Sequence, residues 1–301
     1  MKLKLVDFWP GAKVKQTFVF RALISHLEAS INLTVYSVFR SRLLLETGKL
    51  GRIIEKFLSK ARESRLERQH LSTESRNVWW TGENIRPPLE QKFHHFVSFD
   101  QDRHSGRNTY FPLFYIEATL PSKGTLERIG LSSFDASQLL KPRLVRQPDF
   151  DSRKLACVFI NNPEPTRLAA IRELSKFGQV DVYGRYSGRP VGSKFAIASN
   201  YKFVLCFEND LYPGYVTEKL LDAYLCDVVP LYWGDLGREP HINRKSFLNL
   251  KDFPSLEEFA KVVASMDADQ YHEIYSQPLL GSVPPLEPLV EALLGTSKLK
   301  N

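Results

Sequence analysis

Short apolar runs alternate with amphipathic stretches along the whole chain. A continuous apolar run predicts a strand buried in a parallel sheet, and apolar residues spaced three and four apart predict a helix. The predicted strands cover residues 3–8, 33–39, 78–80, 96–99, 155–160, 180–183, 203–207, 228–232 and 247–250. The predicted helices cover residues 16–27, 52–68, 164–177, 217–226, 256–266 and 286–294. Strands that alternate with helices in this way indicate an α/β fold with mainly parallel sheets.

Length and a weakly patterned central region predict two domains. The 301 residues exceed the usual size of a single domain. Residues 120–151 contain three prolines and little periodicity, so we place the boundary near residue 150. The predicted domains are residues 1–150 and 151–301, two Rossmann-like units that face a cleft. The helix over 286–294 is assigned to the second domain, with packing on the first as the alternative.

The charge balance favours an anionic partner without identifying it. Lys and Arg total 41 against 34 Asp and Glu, which gives a formal net charge of +7. The most basic stretch, residues 52–68, interleaves Glu with Lys and Arg and is typical of a solvated amphipathic helix. The basic residues are dispersed and no nucleic-acid-binding motif is present, so a nucleic-acid-binding protein is a distant alternative. A phosphorylated small molecule remains open as the partner.

Cysteine usage and hydropathy predict a cytoplasmic protein. Cys157, Cys206 and Cys226 lie in apolar segments without CxxC spacing, which is typical of reduced core residues. The opening MKLKLVDFWPG is typical of a first strand, not of a secretory signal. No apolar run approaches the roughly 20 residues of a membrane span. We therefore expect a cytoplasmic location, with at most peripheral contact at the inner face of the membrane.

The most informative segment runs from residue 201 to 235, YKFVLCFENDLYPGYVTEKLLDAYLCDVVPLYWGD. It reads as strand, loop, helix and strand, and polar residues begin at Glu208, where the first strand ends. Thr217 is the expected N-cap of the helix, whose free N–H groups favour an anion. Lys219 in the first turn opposes the helix dipole unless an anion compensates it. Pairing of Lys219 with Glu218 or Asp222 is the alternative, and both interpretations stay open.

Three pieces of this segment, FVLCFEND, GYVTEKLLDAY and VVPLYWGD, resemble the donor-binding signature of the α-1,3/4-fucosyltransferase family. Four flanking stretches are also similar to that family: WTGENIRP (80–87), NTYFPLFY (108–115), FINNPEPTR (159–167) and KSFLNLKDF (245–253). The resemblance is nearly continuous over residues 155–253 and patchy before residue 78. Residues 40–76 depart from the family's pattern. The segment at residues 108–109 also departs from it, because it lacks the Arg that the family has there.

The resemblance implies a GT-B-type, inverting glycosyltransferase of the bacterial type. Such an enzyme transfers L-fucose from GDP-fucose to a hydroxyl of an acceptor glycan, in α-1,3 or α-1,4 linkage. A GlcNAc-containing glycan or lipopolysaccharide is the implied acceptor, and no cofactor is required. The same fold acting on another GDP-linked 6-deoxyhexose, such as GDP-perosamine, is the alternative within enzymes.

The resemblance also implies residue roles. Glu83 matches the position of the general base, which must take the proton of the attacking hydroxyl. The alternative is that Glu83 caps a turn or pairs with Arg86. Arg167 and Lys219 are expected to neutralise the departing GDP. Asp149 and Asp151 have the spacing of a metal-binding DxD pair but lie in the proline-flanked linker, so we expect no metal site.

The remaining candidates belong to the donor site. We expect Glu218 and Tyr215 to bind ribose or donor-sugar hydroxyls, with Glu208 and Asn209 as second candidates. Capping of the loop is the alternative role for Glu208. Lys194 matches a basic position of the family and is expected to reach the nucleotide, and a surface lysine is the alternative.

Overall fold

The computed structural model describes residues 2–6, 8, 17–23, 32–37, 75–121, 123–144 and 150–295. The predicted helix over 52–68 and Asp149 lie outside these residues.

The first sheet contains five parallel strands that lie side by side in sequence order. They are β1 (Lys2–Val6), β2 (Asn32–Tyr36), β3 (Arg76–Trp80), β4 (His95–Ser98) and β5 (Asn108–Tyr110), with helix α1 (Phe18–Leu23) following β1. The two tryptophans of β3 and Phe96 of β4 are fully buried. Large apolar side chains at consecutive positions are expected where a parallel strand is covered on both faces.

The second sheet contains five more parallel strands in the order β10-β9-β8-β6-β7. They are β6 (Lys154–Phe159), β7 (Val180–Tyr183), β8 (Tyr201–Phe207), β9 (Val229–Trp233) and β10 (Leu248–Asn249). In the described residues, the helices after α1 are α2 (Leu113–Thr119), α3 (Lys123–Ile129), α4 (Pro165–Leu174), α5 (Lys194–Ala198), α6 (Glu218–Leu225), α7 (Leu256–Ser265), α8 (Ala268–Tyr275) and α9 (Glu287–Leu294). Short 3₁₀ helices cover Ala136–Leu140, Phe150–Ser152, Arg244–Ser246 and Leu250–Asp252.

The order of the second sheet creates a topological switch point between β6 and β8. From β6 the chain moves outward to β7 and then returns to the other side of β6 to form β8. Loops that leave the carboxyl ends of β6 and β8 therefore diverge and leave a crevice. Ligands of open α/β sheets bind in such crevices.

Contacts divide the chain at places other than residue 150. One unit comprises residues 1–112 and 285–301, and the other comprises residues 113–284. Helix α2 lies in the second unit because it packs on α6, where the Phe114 N–H donates to the Val216 carbonyl over 3.2 Å. Helix α9 lies in the first unit because it packs on β3, β4 and β5. The Arg76 guanidinium of β3 donates two hydrogen bonds to the Ala292 carbonyl, at 2.9 and 3.2 Å.

The cysteines are buried, as their apolar contexts predict. Cys157, Cys206 and Cys226 are free thiols, and burial raises the pKa of each. Within the described parts of the chain, no helix has the length and apolar character needed to cross a bilayer.

Candidate functional site

Most of the predicted site residues lie around the crevice at the switch point of the second unit. Strand β6 leads into Asn161 and Asn162, and β8 leads into Glu208 and Asn209. Helix α6 begins on the same side, because it follows β8 through the loop 208–217. The crevice therefore combines two strand ends with the start of a helix, an arrangement suited to a phosphorylated ligand.

Arg167 ties the two strand ends together. Its side chain is buried, with 5% of the residue exposed. One guanidinium nitrogen, Nη1, donates to the Asn162 carbonyl over 2.9 Å, and Nη2 donates to the Phe207 carbonyl over 2.6 Å. Burial lowers the pKa of Arg167 while Glu164 and Glu208 oppose that shift. The predicted anion-binding arginine thus also braces the crevice, and the Nε–H makes no hydrogen bond within the described part of the chain.

Glu208 turns inward and organises the start of α6. It has no exposed surface. Its Oε1 accepts from the Thr217 N–H over 2.8 Å and from the Tyr232 hydroxyl over 3.3 Å. Its Oε2 accepts from the Thr217 hydroxyl over 2.7 Å and from Lys219 Nζ over 3.0 Å. These contacts match the predicted loop-capping alternative, since both oxygens are occupied by the chain itself.

Thr217 occupies the N-cap position of α6 as expected, but its side chain makes no capping bond. Its hydroxyl donates to Glu208 and accepts from Lys219 Nζ over 2.9 Å. Lys219 is 23% exposed at its side chain and pairs with Glu208 instead of Glu218 or Asp222. Burial lowers the pKa of Lys219, but Glu208 and Glu218 more than offset it, so the pKa is raised. The ammonium is therefore positively charged, oriented and partly accessible.

Glu218, the first residue of α6, is strongly ionised. Burial raises the pKa of its carboxyl, but Lys219, Arg128 and Lys194 together lower that pKa to about 2. The carboxylate makes no hydrogen bond to another side chain in the parts of the chain that the structure describes. It can therefore accept hydrogen bonds from ligand hydroxyls.

Lys194 lies in a cluster that sequence reasoning missed. Its Nζ donates to Asp222 Oδ2 over 2.6 Å, and its side chain is 18% exposed. Arg128 of α3 binds the same carboxylate through Nε (2.8 Å) and Nη2 (3.0 Å). The structure thus shows that Asp222 holds Lys194. The sequence predicts contact of Lys194 with the nucleotide, or a surface lysine as the alternative. The one sequence feature that points to this cluster is the four-residue spacing of Glu218 and Asp222, which places both on one face of the helix.

The loop between β8 and α6 positions the other two candidates. Asn209 is exposed, and its Oδ1 accepts from Arg167 over 3.3 Å. Tyr215 is 2% exposed, so most of its ring packs inside the loop. Gly214 adopts φ 86° and donates its N–H to the Asp235 carbonyl over 2.8 Å, which fixes the turn before Tyr215.

A surface cavity of about 380 Å³ lies beside the carboxyl ends of β6 and β7. Its lining includes Asn161, Arg185 and Arg189. Arg189 is held by Asp181 over 3.1 Å, and its guanidinium stacks on the Tyr183 ring at 4.2 Å. The cavity thus adds basic side chains next to the crevice.

Glu83 belongs to the first unit, in the turn that follows β3. The Thr81 hydroxyl accepts from the Glu83 N–H over 3.2 Å and donates to the Glu83 carbonyl over 2.9 Å. The Ile85 N–H also donates to that carbonyl, over 2.7 Å. These bonds fix the backbone of the turn, and the half-buried carboxylate is carried at the carboxyl edge of the first sheet.

Metal ligands are not grouped in the described residues. No set of three or more His, Cys, Asp or Glu side chains there is arranged to hold a metal ion. Asp151 lies in the 3₁₀ helix Phe150–Ser152 and is exposed.

Comparison with known proteins identifies the relatives of this chain. Residues 151–277 match the model described as "Glycosyltransferase family 10 (fucosyltransferase) C-term". An α-(1,3)-fucosyltransferase FucT of Helicobacter pylori is 30% identical over 204 residues, which cover 61% of this chain and 42% of that protein. The 4-galactosyl-N-acetylglucosaminide 3-α-L-fucosyltransferase 9 of Mus musculus is 38% identical over 120 residues, covering 38% of this chain and 33% of that protein. The chain therefore spans less than half the length of these curated relatives.

Solved structures share the fold over the whole chain. A crystal structure of an α1,3-fucosyltransferase with GDP-fucose aligns with a TM-score of 0.66 at 21% identity, covering 100% of this chain and 90% of the other. At that identity the likeness establishes the fold. The predicted α/β fold with two Rossmann-like parallel sheets of GT-B type is confirmed. The resemblance to the fucosyltransferase family is confirmed as well.

Proposed function

Because residues 151–277 match the C-terminal model of glycosyltransferase family 10, we propose that this chain is a glycosyltransferase that transfers L-fucose from GDP-fucose to a hydroxyl of an acceptor glycan. The observation that supports it most is the crevice of the second unit. There the oriented Lys219 ammonium and the ionised Glu218 carboxylate lie in consecutive positions at the start of α6. A nucleotide sugar requires a cation to bind its diphosphate and a nearby acceptor to bind its hydroxyl groups, and these two side chains provide both.

Each half of the donor has a proposed place around this crevice. Lys219, with the Nε–H of Arg167, neutralises the diphosphate as the bond to the sugar breaks. Glu218 accepts hydrogen bonds from ribose or sugar hydroxyls, and Tyr215 and Asn209 line the same loop. The nucleoside occupies the cavity beside Arg185 and Arg189. Glu208 holds Lys219 and Thr217 in place without contacting the donor.

The reaction inverts the anomeric configuration in this proposal. Glu83 takes the proton of the acceptor hydroxyl as the hydroxyl attacks the anomeric carbon, and GDP departs with its charge balanced by Lys219. The linkage is α-1,3 or α-1,4, and the acceptor is a GlcNAc-containing glycan or lipopolysaccharide. The relatives' names favour α-1,3 transfer. Transfer of another GDP-linked 6-deoxyhexose, such as perosamine, is the second candidate, since only the sugar pocket would differ.

Catalysis is proposed to be independent of a metal, because lysine and arginine provide the positive charge next to the leaving group. Turnover is expected to persist in EDTA, measured as release of GDP. A loss of turnover that Mg²⁺ restores would contradict this assignment.

The location proposed is cytoplasmic, or at the inner face of the membrane. The three buried free thiols support it, because a reducing compartment keeps such thiols unpaired. Fractionation of cells with an activity assay tests it.

The test of the function is a thermal-shift screen with GDP, GDP-fucose, GDP-mannose, UDP-galactose and an oligonucleotide. A ligand that binds the folded state alone raises the melting temperature. We expect stabilisation by the GDP compounds only. Stabilisation by UDP-galactose or the oligonucleotide, with none by GDP, would refute the proposal. A transfer assay with GDP-fucose and GDP-perosamine then separates the two donor sugars.

A further inference from the structure

Three helices of the second unit converge on one buried carboxylate beside the proposed donor site. Asp222 of α6 is 3% exposed at its side chain. Arg128 of α3 reaches both of its oxygens, at 2.8 and 3.0 Å, and Lys194 at the start of α5 reaches Oδ2 at 2.6 Å. Asp222 lies four residues after Glu218 on α6, so the two carboxylates share one face of the helix.

This cluster has features that stability alone does not explain. Two carboxylates four residues apart on a helix repel each other. Burying charges in a cluster is seldom more stabilising than apolar packing of the same volume. The cations that overcome the repulsion also act on Glu218, since Arg128 and Lys194 both lower the pKa of that carboxyl. Asp222 therefore gathers positive charge near Glu218, the proposed acceptor of ligand hydroxyls.

We propose that Asp222, Arg128 and Lys194 are positioning residues for the nucleotide-sugar donor: Asp222 fixes the two cations and so leaves the Glu218 carboxylate free to accept hydroxyls. This inference rests on the proposed function. Without the Asp222 charge, Arg128 and Lys194 are free to pair with Glu218, a carboxylate on which both cations already act. Their ion pairs with Glu218 then occupy the oxygens that the donor needs.

A second carboxyl group makes the role measurable. Glu117 of α2 accepts a hydrogen bond from the Thr125 hydroxyl of α3 and is faced by Arg128 of α3 and by Glu218 and Asp222 of α6. Burial raises the pKa of Glu117 to about 7; Thr125 and Arg128 oppose this shift, and Glu218 and Asp222 add to it. Above pH 7 Glu117 is ionised and competes for Arg128. Donor affinity should therefore fall as pH rises through about 7, because the site then carries one more negative charge near a diphosphate.

The variants follow from these contacts. Asp222→Asn keeps the size and one acceptor oxygen but removes the charge, and should weaken GDP binding about tenfold at pH 7. It should also move the pH midpoint of GDP affinity downward, because Glu117 loses the repelling charge of Asp222. Glu117→Gln should abolish this pH dependence. Arg128→Lys should recover only part of the affinity that Arg128→Met loses, since one ammonium cannot bind both oxygens of Asp222.

A matched control removes a cation elsewhere on the second unit. Lys261→Met breaks exposed ion pairs with Glu257 and Glu258 on α7, at 2.7 and 3.0 Å. GDP affinity and its pH profile should stay as in the wild type.

The experiment is calorimetric titration of GDP between pH 6 and 8, with melting temperatures measured alongside. A lower melting temperature in Asp222→Asn with unchanged GDP affinity and pH midpoint would overturn the inference and leave the cluster a structural one. Should Asp222→Asn fail to fold, the Arg128→Lys and Arg128→Met pair decides by the same two readouts. Wild-type protein that binds no GDP at any pH would overturn the proposed function, and this inference with it.

Discussion

The Lys219–Glu208 pair allows the ligand-binding role of Lys219 to be separated from its structural role. Lys219→Met keeps the aliphatic stem and removes the ammonium. It deletes the bonds to Glu208 Oε2 (3.0 Å) and to the Thr217 hydroxyl (2.9 Å) and leaves a fully buried carboxylate without its cation. Both folding and donor binding should suffer.

The magnitude follows from the partners that remain. Removing one member of a buried ion pair costs about 3–5 kcal/mol. Glu208 keeps the Thr217 N–H, the Thr217 hydroxyl and the Tyr232 hydroxyl, and 23% of the Lys219 side chain is already exposed. We therefore expect a loss of about 2–3 kcal/mol in the free energy of unfolding. For a unit of this size, that corresponds to a fall of about 5–10 °C in melting temperature.

Donor binding should weaken by a separate amount. A hydrogen bond to a charged phosphate oxygen contributes about 1.5–3 kcal/mol, which is roughly 10-fold to 100-fold in the Kd for GDP. The double variant Glu208→Gln with Lys219→Met removes both charges. The amide oxygen of Gln can accept from the Thr217 N–H, and its NH₂ can donate to the Thr217 hydroxyl, so the melting temperature should return close to that of the wild type.

Differential scanning calorimetry and GDP titration of the wild type, both single variants and the double variant give the four corners of this cycle. The expected result is recovered stability without recovered GDP affinity. Recovery of GDP affinity together with stability would show that Lys219 acts only through folding. Equal GDP affinity in the wild type and Lys219→Met would move the diphosphate elsewhere.

Three further variants test Glu83, Arg167 and Glu117. Glu83→Gln cannot take a proton, so turnover should fall roughly 10²–10⁴-fold while GDP affinity is unchanged; near-normal turnover would make Glu83 a turn residue. Arg167→Lys cannot span the Asn162 and Phe207 carbonyls, so we expect a lower melting temperature and weaker GDP binding, and unchanged values of both would contradict the bracing role. Glu117→Gln should lose a pH dependence of stability. The pKa of Glu117 rises from 4.5 to about 7 on folding, so the wild type binds the proton more tightly when folded and loses up to about 3 kcal/mol between those pH values. Denaturant midpoints of the wild type and Glu117→Gln at pH 5 and pH 8 measure this loss of stability. An equal change of midpoint in the two proteins would contradict the raised pKa of Glu117.

Local signals in the sequence located the unit that carries the proposed donor site. The apolar run of β8, the Pro-Gly loop and the amphipathic helix predicted strand, loop and helix over residues 201–226, and the structure places Tyr201–Phe207 and Glu218–Leu225 there. Strand β7 has the predicted bounds, Val180–Tyr183. Each of these elements is specified by its own hydrophobic pattern.

The hydrophobic pattern does not predict which side chains pair when they are far apart in the sequence. Lys219 binds Glu208, eleven residues away, and not the neighbours on its own helix, because the Glu208 side chain after β8 is held at the helix start by the Thr217 N–H. The Thr217 hydroxyl is taken by the same carboxylate, so the predicted cap position carries no side-chain cap. The Arg128–Asp222 pair joins residues 94 positions apart.

The short helices α2 and α3 have no counterpart among the predicted elements, and contacts divide the chain after residues 112 and 284, whereas the predicted boundary lies near residue 150. Residues 120–151 show little periodicity, and part of this region is held by tertiary contacts such as the Arg143 bonds to the Tyr275 and Tyr224 carbonyls at 2.8 and 3.0 Å. The prolines of residues 120–151 predict a linker, whereas contacts place these residues in the second unit.

The most direct test of the central claim is calorimetric titration of the full chain with GDP-fucose, with UDP-galactose as the matched competitor. We expect saturable binding of GDP-fucose that persists in EDTA, weakens in Lys219→Met and is absent for UDP-galactose. Equal binding of the two nucleotide sugars, or no binding of GDP-fucose by folded wild-type protein, would contradict it.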